Sequence, residues 1–279
     1  LGLGAYLVIQ QEMTAGAIIA STVLVSRAVA PIELAISNWR NLIAARQSWA
    51  RLDELLELLP EARSSMELPQ PRSRITVQNL SAAPPGSRRV VLHDVSFSLE
   101  AGTGLGVIGP SAAGKSTLAR ALVGVWRPTR GEVRLDGAAL EQWSPDRLGA
   151  HIGYLPQDVE LFDGTIAENV ARFDPGASSD SIIRAAQAAG VHELILSMPD
   201  GYETRIGESG ESLAAGQRQR IGLARALYGD PFLVVLDEPN SNLDVDGEHA
   251  LTQAIQGVRA RGGIAIVIAH RPNVLVAVN

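Results

Sequence analysis

One glycine-rich segment has the residue types and the spacing that hold phosphate groups. It follows the pattern G-x-x-x-x-G-K-[ST] and consists of Gly109, Pro110, Ser111, Ala112, Ala113, Gly114, Lys115 and Ser116. Because an apolar run precedes it and a helical pattern starts at Lys115, the N–H groups of the loop and of the helix N-terminus would point at the phosphates. We expect Lys115 to reach the β- and γ-phosphates, and Ser116 to bind Mg²⁺. Thr117, the next residue, is included among the predicted nucleotide-binding residues. The alternative, a glycine-rich turn without a ligand, is disfavoured by the flanking elements.

Two consecutive carboxylates, Asp237 and Glu238, follow a second apolar run over residues 232–236. A carboxylate at the end of a buried strand can hold Mg²⁺, directly or through water. The next carboxylate would point to the other side of the strand end and could polarise an attacking water. The alternative is a surface acidic pair after a core strand, which is common in isolation but improbable beside the phosphate-binding pattern.

The elements that must position these residues can also be predicted. Continuous apolar runs over 105–108, 232–236 and 264–268 are typical of strands buried on both faces of a parallel sheet. The alternation of Val95, Phe97 and Leu99 with polar residues predicts a half-buried strand. Helical patterns between the strands indicate an α/β fold with a mostly parallel core. Residues 165–196 show helical patterns and little strand, which predicts a small helical subdomain.

The N-terminal part has a different character. Residues 15–36 are mostly apolar and long enough for one transmembrane helix. If this helix spans a bilayer, Arg27 and Glu33 should face a cavity or another helix. A buried helix of a soluble protein is the alternative. From Trp39 an amphipathic helical pattern continues to residue 59, where Pro60 ends it.

Composition excludes several classes of site. The 279 residues include no cysteine, so no disulfide framework and no cysteine-based metal site exist. The formal net charge of −6 gives no basic footprint for nucleic acid, and we expect no nucleic-acid partner. The first residues lack the features of a signal peptide. We expect the chain to be an excerpt of a longer protein, with its C-terminal end incomplete.

Four further segments accompany the two sites in an order that characterises one family. They are Leu213-Ala214-Ala215-Gly216-Gln217, Gln157 after the apolar stretch 152–155, Ser241-Asn242-Leu243-Asp244, and His270 after the run 264–268. Together with the Lys115 loop and the Asp237 strand, they resemble the motifs of ABC transporter ATPases over roughly residues 75–272. In that family these segments are the signature, the Q-loop, the D-loop and the switch histidine.

The resemblance implies a homodimer that binds ATP and Mg²⁺. Two cassettes would close head to tail, and each ATP would lie between the Lys115 loop of one chain and the Gly216 segment of the other. Ser241 and Asp244 would lie in the D-loop at that seam. Such a site is completed only on dimerisation, which couples hydrolysis to motion.

The resemblance also assigns roles within each site. Glu238 would act as the base on water, His270 would contact the γ-phosphate together with Lys115, and Gln157 would sense the γ-phosphate. The residues expected to bind Mg²⁺ are Ser116, Gln157 and Asp237. Phosphoryl transfer depends on positioning and charge stabilisation more than on covalent chemistry.

Two positions depart from the family pattern. Ala214 stands where the signature usually has serine, which removes a hydroxyl that would cap the following helix and contact the γ-phosphate. The backbone N–H groups of Ala215 and Gly216 remain, so we expect weaker closure rather than none. The second departure is the stretch 80–85, which lacks the aromatic residue that many members stack on adenine. We expect loose base selectivity.

Several short stretches of the sequence most resemble those of the type I protein-secretion ATPases of bacteria. The stretches that resemble this group are 28–33, 83–86, 124–128, 153–162 and 237–244. The resemblance implies a bacterial inner-membrane homodimer with its cassette on the cytoplasmic side, a periplasmic adaptor, an outer-membrane channel and a secreted polypeptide substrate. An exporter of lipid, peptide or drug shares every ATPase motif and stays open as an alternative. A soluble ABC ATPase and a non-catalytic nucleotide sensor are less favoured.

The predicted organisation has three parts. Residues 1–59 form the end of an exporter's all-α transmembrane domain, 60–74 form a linker, and 75–279 form the nucleotide-binding domain. The predicted fold of that domain is an α/β P-loop cassette with a β-subdomain and a helical subdomain.

Overall fold

The computed structural model divides the chain into two compact units, Leu1–Ser64 and Ser65–Asn279. It describes residues 2, 6, 9–10, 14–58, 68–87, 89–110, 113–207, 210, 212–269 and 277–278.

The first unit is dominated by one long helix, α1 (Ala15–Leu58), of 44 residues. At about 1.5 Å per residue it is about 66 Å long, roughly twice the hydrocarbon core of a bilayer. By length and composition, its part over Gly16–Glu54 is able to cross a membrane. Pro31 lies inside the helix without ending it. The predicted end at Pro60 lies outside the described residues.

The second unit begins with an antiparallel sheet in the order β2-β1-β4-β5. Its strands are β1 (Arg74–Ala82), β2 (Leu92–Glu100), β4 (Arg130–Leu135) and β5 (Ala138–Ala139). β1 carries the buried side chains Ile75, Val77 and Leu80. The Asp136 carboxylate, in the turn after β4, accepts backbone N–H groups just before β1 and so joins the two strands at that end.

The central sheet is parallel, in the order β3-β8-β7-β6. Its strands are β3 (Gly104–Val107), β6 (Ile152–Leu155), β7 (Leu233–Asp237) and β8 (Ile264–Ile268). β7 and β8 are buried throughout, which confirms the predicted parallel core. The side chains of β7 alternate between the two faces of the sheet. Val234 and Leu236 therefore pack into one hydrophobic cluster, and Leu233 and Val235 pack into another. The first predicted apolar run extends one residue too far, because Ile108 has left the sheet and is 64% exposed.

The remaining helices fall into two sets. Three lie on connections between strands: α2 (Lys115–Leu122), α3 (Pro145–His151) and α8 (Val245–Ala260). Four form a separate group between β6 and β7: α4 (Ile166–Val170), α5 (Ser179–Ala188), α6 (His192–Leu196) and α7 (Ala215–Leu227). A capping box starts α4: Thr165 N–H donates to Glu168 Oε2 at 2.7 Å, and Glu168 N–H donates to Thr165 Oγ1 at 3.1 Å. This is the helical subdomain expected from the sequence.

One half-buried arginine ties this helical group to the central sheet. Arg172 follows α4 and donates to the carbonyls of Arg225 (2.9 Å) and Ala226 (3.2 Å) at the end of α7. It also donates to Gly149 (2.6 Å) in α3 and Ile152 (3.2 Å) in β6. Burial lowers the pKa of Arg172 to about 10, so the guanidinium stays charged at neutral pH.

Candidate functional site

The phosphate-binding pattern forms the turn between β3 and α2. Gly114 precedes α2 with φ +89°, a left-handed conformation that favours glycine. A Cβ at this position would also lie 3.2 Å from the Val91 side chain and 3.3 Å from its carbonyl oxygen. Both backbone conformation and space therefore require the glycine. Ser111 and Ala112 lie outside the described residues, whereas Gly109, Pro110 and Ala113 are described.

Lys115 is the first residue of α2 and places its ammonium within this turn. The side chain is 8% exposed, and Nζ donates to the carbonyls of Gly109 and Pro110, both at 2.9 Å. A buried ammonium at the N-terminus of a helix places a full positive charge beside a partial one. This is the electrostatic environment that a polyphosphate requires. Ser116 and Thr117 follow in the first turn of α2, and Thr117 is 8% exposed.

Asp237 ends β7 and is 1% exposed. Within the described part of the chain, neither of its carboxylate oxygens accepts a hydrogen bond of good geometry. Burial raises the pKa of Asp237, the nearby Ser116 hydroxyl counteracts this rise, and Glu238 adds to it. Buried oxygens without partners usually indicate an absent ligand, and a carboxylate beside a hydroxyl suits Mg²⁺. The residues present therefore fit the magnesium ion that the sequence predicts.

Glu238 and Gln157 meet at the carboxyl edge of the same sheet. Gln157 follows β6, Glu238 follows β7, and these strands are parallel neighbours. Gln157 Nε2 donates to Glu238 Oε2 at 3.3 Å. Glu238 itself has φ +51°, which is uncommon for a residue other than glycine, and its N–H donates to the Ile268 carbonyl at 2.9 Å. The sheet thus brings together two residues that lie 81 positions apart.

The predicted signature residues begin α7. Leu213 is buried, and Ala214 is the N-cap, with φ −65° and ψ 152° and without a side-chain cap. The Ala214 N–H donates to Gln217 Oε1 at 2.9 Å. A Cβ on Gly216 would lie 2.7 Å from the Asn242 carbonyl oxygen, so this turn and the segment after β7 are in close contact.

The predicted D-loop residues connect the end of β7 to α8. Ser241 N–H donates to the Glu238 carbonyl at 3.3 Å. Asp244 caps α8 by accepting from Gly247 N–H at 2.9 Å, and its two oxygens accept from Arg220 Nη2 at 2.7 and 2.8 Å. The Gly247 hydrogen bond, and then Arg220, lower the pKa of Asp244.

Two residues of α7, Gln219 and Arg220, hold the segment that connects β7 to α8, and the sequence did not predict this role. Gln219 is 3% exposed; its Nε2 donates to the Pro239 carbonyl and its Oε1 accepts from the Asn242 N–H. One signal was present: Gln219 precedes Gly222 and Leu223 at the spacing of one helix face, and both are buried. A glutamine on an apolar helix face must find partners for its amide. The predicted role of His270 concerns a residue outside the described part of the chain.

Comparison with known proteins agrees with this geometry. A model of the ABC transporter family matches residues 92–241. Over 279 residues the chain is 61% identical to the type I secretion system ATP-binding protein PrsD of Rhizobium meliloti (strain 1021), covering 100% of this chain and 48% of that protein. It is 35% identical over 272 residues to the toxin RTX-I translocation ATP-binding protein of Actinobacillus pleuropneumoniae, covering 97% of this chain and 38% of the relative.

A solved structure described as a bacterial Atm1-family ABC exporter with ATP bound superposes with a TM-score of 0.83 at 29% identity. The match covers 95% of this chain and 47% of that one. The chain thus spans about half, or less, of the length of these relatives. The predicted fold and the predicted resemblance to type I secretion ATPases are both confirmed. The family match, with a phosphate loop and paired carboxylates at one sheet edge, shows that this chain belongs to the ABC transporter family.

Proposed function

We propose that this chain is the ATP-hydrolysing part of an ABC exporter. The observation that carries the proposal is the meeting of Gln157 and Glu238 at the sheet edge where the buried Asp237 carboxylate lies near the Ser116 hydroxyl and accepts no hydrogen bond of good geometry from the described residues. Lys115 supplies the positive charge for the phosphates. Glu238 would polarise the attacking water, oriented by the Gln157 amide.

Magnesium would be held by Ser116, Asp237 and Gln157. When bound, the ion neutralises charge that develops on the phosphate oxygens. The burial of Asp237 supports this role, since burial without a cation leaves a carboxylate poorly solvated. Apart from Pro110, which has no N–H, the loop residues from Gly109 to Ala113 would contribute backbone N–H groups to the phosphates.

The other half of each site would come from a second copy of the chain. Ala214 and Ala215 are exposed at the N-terminus of α7, a helix of 13 residues whose first N–H groups are free of a side-chain cap. These N–H groups would contact the γ-phosphate of the ATP bound by the partner subunit. Ser241 and Asp244 would lie at the interface between the two cassettes, and His270 would contact the γ-phosphate of the ATP in its own chain. Leu213 and Gln217 support that turn by packing and by the Ala214 hydrogen bond.

The N-terminal helix supports a membrane location. We infer that residues 1–59 are the end of a transmembrane domain, 60–74 a linker and 75–279 the nucleotide-binding domain. The protein would then lie in the bacterial inner membrane with the cassette on the cytoplasmic side. The length and apolar composition of α1 support the membrane span within this arrangement.

The substrate class is inferred from the relatives. Their names refer to type I secretion and to toxin translocation, which favours a polypeptide substrate. A periplasmic adaptor and an outer-membrane channel would complete the path. An exporter of lipid, peptide or drug is the second candidate, and the superposition on an Atm1-family exporter is the observation that favours it.

The test uses the full-length membrane protein. ATP hydrolysis is measured with and without a polypeptide that bears a C-terminal secretion signal. Glu238→Gln serves as the blank, and Glu193→Gln, an exposed position in α6, is the matched control. The expected result is hydrolysis that responds to the polypeptide in wild type and Glu193→Gln, and that falls by about 100-fold or more in Glu238→Gln. Hydrolysis that ignores the polypeptide would move the assignment to the second candidate, and no hydrolysis would overturn the ATPase itself.

A further inference from the structure

We propose that Gln219 is a positioning residue that holds the catalytic carboxylate Glu238 and joins it to the turn that meets the partner's nucleotide. The proposal rests on the proposed function, because it assigns a role within the same site. It concerns a side chain outside the phosphate loop, the signature and the D-loop.

The Gln219 side chain makes four contacts with the segment that follows β7. Its Nε2 donates to the carbonyls of Pro239 (2.6 Å) and Glu238 (3.3 Å) and to Ser241 Oγ (3.4 Å). Its Oε1 accepts the N–H of Asn242 at 3.1 Å. One buried amide therefore contacts four of the five positions from Glu238 to Asn242, all but Asn240, through both its donor and its acceptor atoms.

The backbone of Glu238 needs such support. Its φ of +51° is a sparsely populated conformation for a residue with a Cβ, and it persists where surroundings enforce it. Ile268 holds the N–H side of this residue, and Gln219 together with the Ser241 N–H holds the carbonyl side. With both ends fixed, the carboxylate can keep its hydrogen bond from Gln157. Loss of the Gln219 amide would weaken the hold on the carbonyl side, where the Ser241 N–H at 3.3 Å would remain.

The same side chain connects Glu238 to the start of α7. Gln219 lies one turn after Gly216, whose backbone is in close contact with the Asn242 carbonyl. Arg220, the next residue, forms an ion pair of 2.7 Å with Asp244 at the far end of the segment. A shift of the first turn of α7 would therefore reach Glu238 through Gln219. In the proposed dimer, this links the nucleotide bound by the partner to hydrolysis in the chain's own site.

The experiment measures kcat, KM and thermal unfolding of the full-length protein. Gln219→Met keeps the approximate shape but removes donor and acceptor, whereas Gln219→Asn keeps the amide one methylene short of its partners. Gln187→Met, at an exposed position in α5, is the matched control. We expect Gln219→Met to lower kcat about 10- to 100-fold with KM within about twofold, because misplacement of a catalytic group by about 1 Å costs up to about 100-fold. Gln219→Asn should show a smaller loss, and it decides the question if the methionine variant does not fold.

A double-mutant comparison separates positioning from general stability. In a Glu238→Gln background, Gln219→Met should lower the residual rate by less than twofold or so, because the carboxylate through which it acts is already absent. An equal fold-loss in both backgrounds, or a kcat equal to that of Gln187→Met, would overturn the proposal while leaving the ATPase assignment intact. Absence of wild-type hydrolysis would instead refute the proposed function.

Discussion

Restoring the missing hydroxyl at position 214 should strengthen nucleotide-driven closure. Ala214 already has the extended backbone of an N-cap residue, and α7 lacks a side-chain cap. Ala214→Ser requires no change of backbone, because serine is among the preferred residues in this conformation. Its hydroxyl can accept a hydrogen bond from the N–H of Gly216 or Gln217.

The expected magnitude has two parts. The cap contributes about 1 kcal/mol to the stability of the cassette, which raises the Tm by about 2–4 °C for a domain of this size. A hydrogen bond to a charged γ-phosphate contributes about 1.5–3 kcal/mol to closure, or roughly a 10- to 150-fold shift in the closing equilibrium.

Two assays on the full-length protein separate these parts. Thermal unfolding without nucleotide measures the cap, and the ATP concentration for half-maximal hydrolysis measures closure. Ala188→Ser, at an exposed position in α5, controls for an added hydroxyl elsewhere. Unchanged ATP affinity and turnover in Ala214→Ser would refute the assignment of this turn to the γ-phosphate.

Three further predictions concern packing and base recognition. Gly153→Ala should lower the Tm strongly, because its Cβ would clash with the Ala226 carbonyl oxygen. Gly149→Ala meets nothing within 4 Å and should be neutral or stabilising. An equal Tm for both alanine variants would contradict the packing of α7 on β6. Arg172→Met should destabilise the cassette by about 3 kcal/mol in denaturant titrations, because four carbonyls lose their donor, and Arg172→Lys should recover only part of it. GTP should be hydrolysed with a kcat/KM within about tenfold of that for ATP, because the stretch 80–85 has no aromatic residue and so neither base gains the roughly 1–3 kcal/mol of a base–aromatic stack there; a preference of 1,000-fold or so would show that another group reads the adenine.

Much of the cassette could be predicted because its signals are local. The phosphate pattern and the apolar strands 232–236 and 264–268 each lie within a few residues. The pairing of β6 with β7, which brings Gln157 beside Glu238, comes from the folded structure.

The remainder depends on partners far apart in sequence. Arg172 finds the end of α7 more than 50 positions away, and Gln219 and Arg220 find the D-loop about 20 positions away. Arginine and glutamine are ordinary residues in a helix-rich segment, so only the folded structure reveals these pairings.

The role of Glu238 is tested by comparing wild type with Glu238→Gln in the full-length protein at saturating ATP and Mg²⁺. Nucleotide binding and steady-state hydrolysis are measured on the same preparations. We expect Glu238→Gln to bind ATP at least as tightly as wild type and to lose hydrolysis by about 100-fold or more, since a general base contributes about 10²–10⁴-fold. Hydrolysis at the wild-type rate in Glu238→Gln would show that this carboxylate does not activate the water.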